Sequence, residues 1–185
     1  MRFDDSDIKI FTGGNSSSDD NNEVLKLAEE SKRHRNNGNA DKAKKIGVLL
    51  AEAAPKELND PALKKFVGDP EILYEIKVLS VFTGESSAHI YMPNPILATT
   101  AVNALYDNLK AQFPGFYENI TDGTAFSFYY LNLRRGIDVE ENIGKTFAML
   151  CEDENNQELM KLGETIYKEL RDYACSEIEK AGFVE

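Results

Sequence analysis

Seven ionisable side chains crowd one turn of this sequence: Lys32, Arg33, His34 and Arg35 precede Gly38, and Lys42, Lys44 and Lys45 follow it. Cations gathered at one end of a hairpin suit an acidic peptide or a phosphate group. Without interleaved aromatics they do not suit single-stranded nucleic acid, which needs stacking platforms. The candidate partner-binding set is Lys32, Arg33, Arg35, Lys42, Lys44 and Lys45, with a protein, in particular an acidic segment, as the expected partner; the alternative, which the lack of aromatics favours, is an ordinary solvated face.

A second group could line a pocket between helices. Tyr91, Tyr106, Phe116, Tyr117, Phe126, Tyr129 and Tyr130 would form apolar walls with a few oriented hydroxyls, as small-molecule sites require. The alternative is a packed aromatic core whose hydroxyls reach the surface.

Other chemistry finds little support, and no catalytic, cofactor-binding or metal-ligating residue is assigned. His34 and His89 are the only histidines, each four residues after a glutamate (Glu30 and Glu85), whereas di-iron carboxylate bundles space Glu and His by three. Both histidines read as solvated surface residues, and no zinc spacing is present. Cys151 falls at the C-terminal end of a helix, where the dipole opposes a thiolate, so it reads as packing. With Cys175 it makes a pair of reduced core thiols rather than a disulfide. No Gly-x-Ser-x-Gly elbow or phosphate-cradling Gly-x-x-x-x-Gly-Lys loop occurs; Gly13-Gly14 has no following lysine, and Asp122-Gly123-Thr124 reads as a helix start.

Charge narrows the class. The chain carries 21 Lys/Arg against 32 Asp/Glu, a net of −11 over 185 residues, which disfavours general nucleic-acid binding. From Glu23 to Lys56 there are eight Lys/Arg and five Asp/Glu, leaving 13 against 27 elsewhere, so a basic segment of +3 sits in a chain of otherwise −14. Met1-Arg2-Phe3-Asp4-Asp5 lacks the features of a secretion signal, so a cytoplasmic location is expected, and the acceptor patterns at Asn15 and Asn119 carry no weight. Ser86 to Tyr106 is free of charge, but Pro93, Asn94 and Pro95 would leave a broken helix in lipid, so no membrane span is expected. A homo-oligomer remains open.

The elements that must hold these groups are helical. Asp60-Pro61, Asp69-Pro70 and Asn94-Pro95, with Asp20…Glu23, Asp138…Glu141 and Asn155…Glu158, place a short oxygen side chain at a first turn, with proline at the first helical position or glutamate at the third. The expected fold is all-α: a multi-helix bundle with an N-terminal helical hairpin and a disordered N-terminal tail. The units are a tail (1–20), a basic hairpin (21–56) and a bundle (57–185) that forms one globular body with the hairpin. Within the tail, the alternation in Asp7-Ile8-Lys9-Ile10-Phe11 would suit a short docking strand, but no partner strand is evident and a disordered tail is the reading adopted.

The hairpin comprises helices at 21–36, with Val24, Leu27 and Ala28 on one side, and 40–54, with Ala43, Ile46, Leu50 and Ala53 as an apolar stripe ending before Pro55. Gly38 at the turn, Ala43 five residues on, Pro55 twelve beyond and Ala28 in the first helix resemble a single tetratricopeptide unit. The resemblance covers roughly 34 residues, lacks the unit's aromatic and Leu-Gly positions, and has no second copy at that period, where about three are needed to bury a continuous core. An ordinary hairpin is the reading adopted.

Helices are expected at 61–67, 71–83 (closed by Gly84), 95–113, 123–135, 139–152 and 156–181, with a loop over 85–94. Ala98, Ala101 and Ala104 would permit close approach of another helix. The segment Ala125–Leu133 is apolar on all sides and is read as a fully buried helix rather than a strand, which would have no sheet to join. Function is expected to be protein–protein interaction without catalysis; the alternative is a small-molecule-binding bundle around the aromatics.

Overall fold

The computed structural model describes residues 19–55, 68–117, 120 and 124–184. Eight helices are present among them and no strand: α1 (Asp19–Asn36), α2 (Asn39–Ala53), α3 (Pro70–Tyr91), α4 (Pro95–Gln112), the single turn α5 (Pro114–Tyr117), α6 (Thr124–Arg135), α7 (Val139–Leu150) and α8 (Gln157–Ala181). Residues 1–18 of the expected tail and the helix expected at 61–67 lie outside the described residues, while Asp19 and Asp20, expected to end the tail, open α1.

Proline-primed starts fold as their chemistry requires. Asp69 accepts hydrogen bonds from the Glu71 and Ile72 N–H groups with Pro70 inside the first turn. Asn94 accepts from the Leu97 N–H ahead of α4, each such cap being worth about 1 kcal/mol. The start of α8 is shifted by one residue from the expected position: Asn156, not Asn155, accepts from the Glu158 and Leu159 N–H groups. At α7 the expected cap is absent, because Asp138 lies in the left-handed region at φ 44° and makes no side-chain cap.

The largest departure from the sequence reading is α3. Gly84 does not end it, and the expected loop over 85–94 is helical as far as Tyr91. Gly84 is buried within the helix, and a Cβ there would meet the Leu105 side chain at 3.5 Å, an ordinary contact, so neither termination nor close packing demands a glycine at this position. The buried hydroxyls along α3 are satisfied within the helix, where Ser80, Thr83 and Ser86 donate to the carbonyls of Ile76, Leu79 and Thr83. Buried hydroxyls bonded this way carry little of the penalty that would otherwise expel them. His89 consequently sits exposed in the last turn of a helix, not in a loop.

α3 and α8 run through the middle and divide the core in two. On one side, Ala43, Ile46 and Leu50 of α2 pack with Leu97, Ala101, Leu105 and Leu109 of α4, and with Ala174 and Ile178 of α8. On the other, Ile76, Leu79 and Phe82 of α3 meet Tyr129 of α6, Ile143 and Phe147 of α7, and Leu159, Ile166 and Leu170 of α8. Two glycine contacts set the spacing. A Cβ on Gly47 of α2 would collide with the Ala101 carbonyl oxygen, and one on Gly144 of α7 with the Met160 carbonyl oxygen. The small face of α4 at Ala101 and Ala104 is thus met by a glycine on α2.

α6 is a helix, as read, but it is not fully buried: Tyr129 is inside while Phe128 and Leu131 are exposed. Both cysteines are free, Cys151 buried and Cys175 half-buried with its thiol 3.6 Å from Glu179 Oε1. Burial, then the nearby Glu75, Asp69 and Asp153 carboxylates, push the Cys151 thiol up to about 12. That agrees with a packing role rather than a nucleophilic one.

Candidate functional site

The α1–α2 turn is built around Gly38, whose φ of 79° lets the chain reverse where a side chain would be strained. Asn37 caps the turn by accepting from the Asn39 N–H at 3.1 Å. Asn39 then joins three parts of the chain. Its Oδ1 accepts from the Val184 N–H at 3.1 Å and its Nδ2 donates to the Val184 carbonyl at 2.6 Å, pinning the C-terminal residues against the turn. Lys42 Nζ donates to the Gly182 carbonyl at 2.6 Å and holds the same strap.

His34 is the centre of this arrangement, and the expectation that it is solvated is overturned: it is 3% exposed. Its Nδ1 lies 3.3 Å from Asn39 Nδ2, and its Nε2 lies 3.0 Å from Asn94 Nδ2 and 3.6 Å from Glu30 Oε1. Each asparagine has already committed its Oδ1, one to Val184 and the other to the start of α4, so both present an NH₂ group to the ring. A neutral imidazole offers one acceptor and one donor. One asparagine can therefore be accepted, while the Glu30 carboxylate stands beside Nε2. The ring fixes the C-terminal end of α1 to the α3–α4 junction and to the strap.

Beside His34 a cavity of about 470 Å³ opens between α1, α2 and α4, lined by Ser31, His34, Arg35, Ala40, Asp41, Lys44, Ile96, Leu97 and Thr100. Its polar side chains are two cations, two hydroxyls, the His34 imidazole and one carboxylate. The carboxylate, Asp41, stands 3.9 Å from Lys44 Nζ in an exposed pair, a geometry that contributes little. Among the described residues, Arg35 reaches the Ser31 hydroxyl, at 3.4 Å.

The six basic residues expected to act together are divided by the structure. Arg35 and Lys44 line the cavity. Lys32 and Arg33 border a neighbouring depression with Glu29, Asn36 and Asn37. Lys42 is committed to the C-terminal strap, and Lys45 is exposed on α2.

Among the aromatics, Phe126, Tyr129 and Tyr130 close around Phe82, with ring centroids 5.5, 5.0 and 5.0 Å away. Tyr106 and Tyr130 both donate to Glu85, at 2.5 and 2.9 Å. Burial and the Glu85 charge push both phenols above their ordinary range. Tyr117 packs on the α2–α4 side of the core, Phe116 lies within it, and Tyr91 stands exposed at the end of α3. None of these rings lines the two depressions described above.

No protein-family model, curated protein or solved structure matches this chain. The hairpin that resembles a tetratricopeptide unit packs its second helix along α4, not against a neighbouring hairpin. Among the described residues no helix is long and apolar enough to cross a membrane, and no group of three or more His, Cys, Asp or Glu side chains could hold a metal ion.

Three residues that organise the site escaped sequence reasoning: His34 as a buried residue, Asn39, and Glu85 as the acceptor for two tyrosines. Asn94 was legible through Pro95, but only as a helix cap. Nothing local in the sequence marks Asn39, whose main partner lies 145 residues away.

Proposed function

We propose that this protein is a non-enzymatic interaction module that holds an acidic segment of a protein partner in the cleft between α1, α2 and α4. One observation supports the reading above others: Arg35 and Lys44 line a cavity of about 470 Å³ together with the Ser31 and Thr100 hydroxyls, in a chain whose net charge is −11. A carboxylate-bearing segment meets two cations and the Ser31 hydroxyl there, the Thr100 hydroxyl being bonded to the Ile96 carbonyl, while the surrounding negative surface repels acidic chains elsewhere and so sharpens the choice of site. Lys32 and Arg33, on the adjoining depression, extend the cationic path. The same reading takes the protein to be cytoplasmic, where acidic segments of other proteins are available to it.

Capture of a partner from cell lysate tests this. Reversing Lys32, Arg33, Arg35, Lys44 and Lys45 to glutamate abolishes capture, and raising salt from 0.05 to 0.3 M, an approximate range over which exposed charges become screened, weakens capture by the unaltered protein. Capture that survives both would overturn the proposal.

A further inference from the structure

His34 is 3% exposed, so its ring depends on the groups built around it. Two of these are amide NH₂ groups: Asn39 Nδ2 lies 3.3 Å from Nδ1, and Asn94 Nδ2 lies 3.0 Å from Nε2. Neither amide is free to turn its oxygen to the ring. Asn39 is locked by its paired hydrogen bonds to the Val184 backbone, and Asn94 Oδ1 is held by the Leu97 N–H at 3.0 Å.

A neutral imidazole has one lone pair and therefore holds one of the two amides. A second ring proton can bind only at that lone pair. The imidazolium then turns two N–H donors toward two NH₂ groups, and the asparagine it held is left against a donor. Among the described residues the acceptor within reach is Glu30 Oε1, 3.6 Å from Nε2, and Glu30 belongs to α1 itself. Protonation thus exchanges a contact between elements for one within a helix.

The other charged groups around the ring supply no substitute. Arg33 and Arg35 flank it on α1, with Arg35 at the Ser31 hydroxyl. On α2, the Asp41 side chain is 85% exposed beside Lys44, and Lys42 Nζ is held by the Gly182 carbonyl. The α3–α4 junction and α4 bring Asn94, Ile96, Leu97 and Thr100, none of which titrates.

We propose that His34 is a pH-sensitive clasp: neutral, it ties the C-terminal end of α1 to the α3–α4 junction and the turn; protonated, it releases that end. α1 has little else to hold it. Val24, Leu25 and Leu27 are 64%, 61% and 50% exposed, and among the described residues no other α1 side chain hydrogen-bonds to another element. Imidazoles change charge between about pH 5 and pH 8, which sets the range of release. The clasp does not depend on the function proposed above.

Backbone amide exchange in the full chain reads the release. Protection of the amides from Arg33 to Asn37, corrected for the intrinsic rate at each pH, is compared at about pH 7.5 and about pH 5.5. The buried Ile166, Tyr167 and Leu170 of α8 serve as the reference. Acid should lower protection at the end of α1 about fivefold, as the loss of one net hydrogen bond implies, and leave α8 unchanged. In Asn94→Asp a carboxylate oxygen replaces the NH₂ group opposite Nε2 while the α4 cap is kept, so acid should there raise protection instead. His34→Gln, which takes no proton, should remove the dependence; if that variant fails to fold, Asn94→Asp decides. Equal protection at both pH values in the unaltered chain would overturn the clasp. So would a loss of the same size in Asn94→Asp, or a parallel loss in α8, which would mark general unfolding by acid.

Discussion

At the residue scale, the core contains a polar atom that it does not use. Tyr129 is fully buried between Phe82 and the α7–α8 side of the core, and its Oη has no hydrogen-bond partner among the described residues. Burial, followed by the charge of Glu75, pushes its phenol well above the ordinary range. A buried hydroxyl left without a partner costs about 1–3 kcal/mol of desolvation, whereas the ring contributes as any core aromatic does. Tyr129→Phe keeps the ring and removes the orphaned group, so it is expected to leave stability unchanged or raise it by about 1 kcal/mol, measured as the urea midpoint at constant slope. Tyr130→Phe is the contrast. It removes one of the two donors to Glu85 and should lower stability by about 1 kcal/mol. A loss at Tyr129→Phe as large as at Tyr130→Phe would show that the Tyr129 hydroxyl is satisfied.

At the scale of elements, contact distance between helices is set by a few residues without side chains. Gly47 lies against the Ala101 carbonyl and close to Ala104, with the hypothetical Cβ 2.8 Å from the Ala104 Cβ. Because the nearest obstacle is backbone, Gly47→Ala cannot be relieved by rotating a side chain and must push α2 from α4. The added methyl improves helix propensity by about 1 kcal/mol, but overpacking at a tight crossing costs about 1–3 kcal/mol, or more where backbone must move. A net loss is expected, seen as a lower thermal midpoint; a gain would mean that the crossing is loose. This pairing also shows what the sequence could convey. The alanines at 98, 101 and 104 announced a close contact on α4, and the Asp69, Asn94 and proline signals located two helix starts to the residue, since capping is local chemistry. The partner of that small face could not be read, because Gly47 and Ala101 are brought together only by the fold. Gly84 misled because a glycine inside a helix and a glycine that terminates one are alike in sequence, and α3 runs on through it to Tyr91. His34 misled because its neighbours Arg33 and Arg35 are exposed, while the turn at Gly38 carries the ring inward to Asn39 and Asn94.

For the molecule as a whole, one thiol and three phenols that the fold withdraws from water favour the same side of the pH scale. The Cys151 thiol is raised from 9.0 to about 12 by burial and nearby carboxylates. The Tyr106, Tyr129 and Tyr130 phenols are all raised from 10.0, chiefly by burial, with a neighbouring glutamate adding to each. Raised folded-state values mean that these groups keep their protons in the native chain and lose them more readily when it unfolds. Below the unfolded values the two states bind equally many protons and stability does not depend on these groups. As pH rises past 9.0 the unfolded Cys151 ionises first, the unfolded tyrosines follow past 10.0, and each proton released only by the unfolded chain moves the balance toward it. A chain already at −11 near neutrality adds self-repulsion in the same direction. The thermal midpoint is therefore expected to hold level from about pH 7 to 9 and to fall steadily above that, where the unfolded groups ionise. Cys151→Ala should delay the onset toward pH 10 by removing the group that ionises earliest. A midpoint that stayed level through pH 11 would contradict the burial of these four groups, and one that fell equally early without Cys151 would assign the onset to the tyrosines and surface charge alone.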